Sequence, residues 1–144
     1  MKTILFVCVE NSCRSQMAEG FAQFFDNNII EAYSAGSNPG SGVNPKAIEV
    51  MKEVGIDLSS KHSKTFHELA IQEFDYVVSM GCQDVCPLVA GKKHIAWHIE
   101  DPKGKDIETF RGIRDSIKDH VHSLIQEIKE GKGGDSWNDI LMTS

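Results

Sequence analysis

The segment Cys8-Val9-Glu10-Asn11-Ser12-Cys13-Arg14-Ser15 sets a thiol, five intervening residues, a guanidinium and then a hydroxyl. An apolar, β-rich run over residues 3–8 leads into it, and Met17, Phe21, Phe24 and Phe25 follow at helical spacing. The segment therefore reads as the loop between a strand and a helix N-terminus. Such a loop supplies free backbone N–H groups and a positive dipole end, which suit a tetrahedral oxyanion. Arg14 adds a fork matched to phosphate-like oxygens. The same positive field favours the thiolate of Cys8, and the Ser15 hydroxyl can steady it. Cys8 is thus the expected nucleophile, with Glu10, Asn11, Ser12, Cys13, Arg14 and Ser15 as the substrate-binding set. A buried cysteine followed by an ordinary loop is the competing reading, which the Cys-to-Arg spacing at a strand-to-helix junction outweighs. The nucleotide-binding pattern GxxxxGK[ST] is absent. Cys13 reads as a small structural residue, close enough to Cys8 for an off-pathway disulfide under oxidation.

The chain has four cysteines, Cys8, Cys13, Cys82 and Cys86. In a reducing compartment these point to catalysis, redox work or metal binding rather than structural disulfides. Zinc fits poorly, because no C-x2-C pair exists, His94 and His98 share a strand, and His120 and His122 point differently on a helix. An Asp-Pro pair, Asp101-Pro102, falls in a loop that Pro102 stiffens, with Glu100 beside it.

The elements that must position these residues follow from periodicity. Strands are expected over residues 3–8, 29–34, 75–80 and 93–99. Asn44-Pro45 opens a helix whose apolar stripe is Ala47, Ile48, Met51 and Val54, with Gly55 as its stop. Thr65 and Glu68 fit a capping box for a short helix reaching about Gln72. Phe110, Ile113, Ile117, Val121, Leu124, Ile125 and Ile128 keep a helical period to the stop at residues 131–134. Alternating strands and helices predict an α/β fold: a single-domain, four-stranded parallel sheet flanked by helices on both faces. Reactive loops then gather at the carboxyl ends of the strands, which fall at Cys8, near Ser34, at residues 80–82 and near Asp101. The catalytic domain is expected over residues 1–130, with a tail over 131–144 that packs through Trp137, Ile140 and Leu141 or stays loose.

The stretches VCVENSCRSQMAEGF, YSAG at 33–36, VNPKAIEVMKEVGIDLS at 43–59 and the Asp-Pro at 101–102 resemble the low-molecular-weight protein tyrosine phosphatase fold. They resemble more closely the thioredoxin-coupled arsenate reductases built on that fold. The resemblance runs from residue 3 to about 129. It implies that Asp101 is the general acid, giving a proton to the departing oxygen. It implies arsenate as the substrate and thioredoxin or a similar thiol as the reductant, with no organic cofactor. Cys82 and Cys86 separate a reductase from a phosphatase, since reduction needs more thiols than hydrolysis. On a helical turn their Cα atoms would lie roughly 6 Å apart, within reach of a disulfide. An inert pair is the alternative there. A tyrosine or small-molecule phosphatase is the alternative for the whole chain, although Lys103-Gly104-Lys105 replaces the aromatic residues that typically follow Asp-Pro in those enzymes.

Two positions depart from the family pattern. Glu10 stands where Gly is frequent, and its carboxylate is expected to point to solvent. Some relatives hold a potassium ion beside the anion loop. Asn11, Glu19 and Ser34 match three of its ligands, while Lys64 takes the fourth position. The 144 residues, 40% hydrophobic and 25% charged, have the size and composition of one globular domain. A net charge of −6 excludes a general nucleic-acid binder, which needs a basic face. No apolar run reaches a membrane span, and MKTILFVC lacks the length and cleavage site of a signal peptide, so a cytoplasmic protein with no membrane or nucleic-acid partner is expected.

Overall fold

The computed structural model describes residues 2–26, 28–40, 42–80 and 90–131. The chain order is β1 (Lys2–Cys8), α1 (Arg14–Phe25), β2 (Ile30–Gly36), α2 (Pro45–Lys52), a 3-10 turn (Phe66–Glu68), β3 (Glu73–Ser79), β4 (Ala90–Ala96) and α3 (Ile107–Lys129). The four strands form one sheet in the order β2-β1-β3-β4, and every neighbouring pair is parallel. β1 is therefore central, which explains its unbroken apolar run: both of its faces are covered.

Alternation along β1 decides where the nucleophile points. Ile4, Phe6 and Cys8 belong to the larger core, with Met17, Ala18, Phe21 and Ala22 of α1, Val50 and Met51 of α2, and Phe110, Ile117 and Val121 of α3. Leu5 and Val7 face the opposite side, where the 3-10 turn and its flanks supply Phe66, Leu69 and Ile71. The period of two thus turns Cys8 towards the helix that follows it.

Asn44 caps α2 by accepting from Lys46 N at 2.9 Å, with Pro45 in the first turn, and Gly55 continues past its end at φ 86°. Asp106 caps α3, accepting from Thr109 N at 3.0 Å. The helix expected from Thr65 to about Gln72 is a single 3-10 turn instead. Leu69 is already extended, and the Gln72 amide donates to the carbonyls of Phe66 and Leu69, ending the helix after one turn. β4 begins and ends three residues earlier than periodicity suggests, because its register on β3 runs from Glu73 opposite Ala90 to Ser79 opposite Ala96. Gly91 permits this register, since a Cβ there would lie 2.6 Å from Val77 Cγ2. Among the described residues, no helix is long and apolar enough to cross a membrane. Residues 132–144, including Trp137, Ile140 and Leu141, lie outside the described residues.

Candidate active site

Residues 9–13 leave β1 at its carboxyl end and enter α1 at Arg14. The carbonyl groups of this loop are turned outward. Val9 O accepts from Asn38 N at 2.8 Å, Glu10 O from Gly40 N at 2.9 Å and Ser12 O from Asn44 N at 2.9 Å. Asn11 O accepts from Ser63 Oγ at 2.9 Å and from the Gln16 amide at 3.1 Å. In a trans peptide the N–H points opposite to the C=O, so the amides of residues 10–13 face the enclosed side. An anion cradle results from where the carbonyls are tied.

Asn11 organises the loop from within. Its left-handed backbone (φ 54°) turns the chain, and its side chain is fully buried. Its Oδ1 accepts from the Gln16 amide at 3.0 Å and from Lys64 N at 3.1 Å, which fixes Nδ2 as the end facing Ser15. Asn11 Nδ2 donates to Ser15 Oγ at 2.7 Å, and Ser15 Oγ lies 2.9 Å from Cys8 Sγ. With its oxygen already accepting, the Ser15 hydroxyl has its hydrogen available for the Cys8 sulfur. A one-way chain from Asn11 through Ser15 thus supports a thiolate at Cys8.

Arg14 is buried, and its Nη1 donates to Ile99 O at 2.9 Å while Nη2 lies 3.7 Å from Asp101 Oδ2. The guanidinium therefore joins the cradle to the loop after β4. Cys8, Val9, Glu10, Ser12, Cys13, Arg14, Asp101 and Lys103 line a cavity of about 120 Å³, matched to a small oxyanion. A larger cleft of about 530 Å³ between β4 and α3 is lined by no cysteine and no arginine among the described residues. Burial pushes the Cys13 thiol up to about 11, so at neutral pH it stays protonated and inert.

The structure thus brings Cys8, Glu10, Asn11, Ser12, Cys13, Arg14, Ser15 and Asp101 to one strand edge. Cys82 and Cys86 lie outside the described residues. Glu10 does not run free into solvent: its carboxylate pairs with Lys103. Asn11, Glu19, Ser34 and Lys64 meet behind the cradle. Ser34 Oγ donates to Glu19 Oε1 at 2.6 Å, and Lys64 Nζ lies 3.4 Å from Ser34 Oγ. Burial holds the Lys64 ammonium below the usual lysine range, against the pull of Glu19. His120 packs tilted against Trp97 and His122 meets Phe25 edge-on, and no cluster of three metal-ligating side chains occurs among the described residues.

Three contributors escape any reading of local spacing. Gln16 fixes the Asn11 amide, the Ile99 carbonyl holds Arg14, and Gly36 gives the cradle room. A Cβ on Gly36 would lie 2.6 Å from Val9 O and 2.9 Å from Asn11 N. The YSAG motif carried that last signal without revealing its cause.

A cysteine at the end of a central parallel strand, leading through a tight loop into a helix and faced by an Asp-Pro loop, defines a phosphatase-type fold. The profile of the low molecular weight phosphotyrosine protein phosphatases matches residues 3–133, and the chain belongs to this family. Within it, the chain is 41% identical over 131 residues to the glutaredoxin arsenate reductase of Synechocystis, covering 89% of this chain and 99% of that protein. A solved arsenate reductase in the phosphate-binding state superposes with a TM-score of 0.78 at 38% identity, over 89% of this chain and 99% of the other. A thioredoxin-dependent arsenate reductase of Corynebacterium glutamicum superposes with a TM-score of 0.75 at 30% identity, over 91% of this chain and 63% of that one.

Proposed function

We propose that the protein is an arsenate reductase that draws two electrons from its own cysteines and is regenerated by thioredoxin. The observation that carries this reading is the small cavity where Cys8, Arg14 and Asp101 meet. Arsenate sits on the loop amides with its charge against Arg14. The Cys8 thiolate attacks arsenic, and Asp101 gives a proton to the departing oxygen, leaving a Cys8–arsenic(V) adduct. Cys82 attacks the Cys8 sulfur. The sulfur–arsenic electron pair stays on arsenic, arsenite leaves, and a Cys8–Cys82 disulfide remains. Cys86 then displaces Cys8 from Cys82, forming Cys82–Cys86 and restoring the Cys8 thiolate. A dithiol partner reduces the final bond. The free thiols this cycle requires suit the reducing cytoplasm.

Names among the relatives divide on the reductant. Thioredoxin is preferred because an intramolecular Cys82–Cys86 disulfide is matched by a dithiol donor, and glutaredoxin is the alternative that the assay distinguishes. The Lys64 ammonium takes the place of a monovalent cation behind the loop, so no bound ion is required. Hydrolysis of aryl phosphates is the second reading, since family membership and the Cys8, Arg14 and Asp101 set would suffice for it.

One turnover with arsenate and no reductant tests the relay. Two thiols should disappear and peptide mapping should find Cys82–Cys86. With Cys86→Ser the bond should be Cys8–Cys82, with at most one arsenite released per enzyme and no rescue by thioredoxin. Four free thiols after arsenate, or normal turnover by Cys86→Ser, would leave the phosphatase reading in its place.

A further inference from the structure

Asp101 is half exposed, its side chain 54% accessible, so burial does not hold it over Cys8. Beside the Arg14 guanidinium, 3.7 Å from its Oδ2, Asp101 is held by bonds made within its own loop. Lys105 N donates to Pro102 O at 2.8 Å and Gly104 has φ 80°, which makes residues 102–105 a tight turn with Lys103 at its second position. Lys103 N donates to Asp101 Oδ1 at 3.0 Å, so the orientation of the acid follows the placement of Lys103. One flank of the turn is tethered to α2, where Lys46 Nζ donates to Lys105 O at 2.5 Å.

The other tether crosses the cavity mouth. Lys103 Nζ pairs with the Glu10 carboxylate, and both residues line the cavity. Glu10 is itself constrained: its carbonyl accepts from Gly40 N at 2.9 Å, and a Cβ on Gly40 would lie 3.2 Å from Glu10 Oε1. The carboxylate therefore rests against bare backbone and is directed at Lys103. Glu10 stands in the anion loop, two residues beyond the nucleophile, and Lys103 stands two residues beyond the acid. The pair also neutralises a carboxylate that would otherwise repel the oxyanion.

We propose that the Glu10–Lys103 ion pair is a strap between the anion loop and the acid loop, and that Lys103 is a positioning residue that keeps Asp101 over Cys8. The proposal rests on the arsenate reductase reading for its chemistry, but the strap itself is measurable without arsenate. Charge and position make opposite predictions for Glu10→Lys. If only local charge mattered, that variant would bind the oxyanion better and react faster. If the strap matters, it opposes two lysines, releases the acid loop and slows the reaction.

The test compares Glu10→Lys, Lys103→Glu and the double exchange E10K/K103E, each checked for cooperative melting. Hydrogen exchange of the Lys105 amide, read by NMR, should be about twofold to fivefold faster in both single variants and return to the wild-type rate in the double. Thiol loss in a single arsenate turnover should slow roughly tenfold in both single variants and recover to within about twofold in the double. An unchanged Lys105 exchange rate in the single variants would overturn the strap, as would faster turnover by Glu10→Lys. Should wild-type protein lose no thiols to arsenate, the reductase reading fails, and the exchange rates alone decide the strap.

Discussion

At the scale of single residues, the chemistry depends on a directed hydrogen bond to one sulfur. Asn11 donates to Ser15, whose hydrogen is thereby left for Cys8, while burial pushes the Cys13 thiol up to about 11. Cys8→Ser should therefore lose arsenate reduction and any aryl-phosphate hydrolysis together, by at least about a thousandfold. Cys82→Ser should lose only the reduction, since hydrolysis requires just Cys8, Arg14 and Asp101. Parallel assays of both reactions on folded variants check this, and equal loss of both by Cys82→Ser would remove Cys82 from its redox role.

At the scale of elements, the anion loop is shaped by the end of β2. Gly36 pairs with Cys8 across the sheet, and the loop folds back directly over it. Gly36→Ala forces a methyl group against two backbone atoms that cannot rotate away. The expected outcome is a loss of about 1–3 kcal/mol of stability and a larger loss of activity, because the displaced atoms belong to the cradle. Thermal melting and single-turnover thiol loss check the two parts. A variant with wild-type turnover would show that the cradle tolerates the shift.

At the scale of the whole molecule, α1, β2 and the segment before the 3-10 turn converge behind the cradle. Glu19, Ser34 and Lys64 meet there, with the Lys64 backbone also holding Asn11. If the lysine ammonium serves as the cation, potassium should not raise the wild-type melting temperature more than sodium at equal ionic strength. Lys64→Asp should create a potassium-specific stabilisation of about 1.4 kcal/mol at ten times the dissociation constant. A potassium-specific rise in the wild-type protein would refute the substitution.

The sequence alone determined the four-stranded α/β plan and marked Cys8 and Arg14 as candidates, because the apolar run of β1, the Cys-to-Arg spacing and the Asn44-Pro45 cap are written locally, whereas Asp101 was singled out by the family resemblance. It overextended the helix after Thr65, where the Gln72 side chain takes the carbonyls of Phe66 and Leu69, and displaced β4, whose ends are set by its long-range register on β3. Only the tertiary structure decided that Glu10 meets Lys103, that Gly36 makes room for the loop and that Ile99 holds Arg14. These contacts join residues 93, 25 and 85 positions apart, or their near neighbours, and no periodicity reports them. Backbone propensity and burial are local preferences, whereas the meeting of Cys8 and Asp101 at one cavity is a consequence of how loops from two non-adjacent strands, β1 and β4, converge at one edge of the sheet.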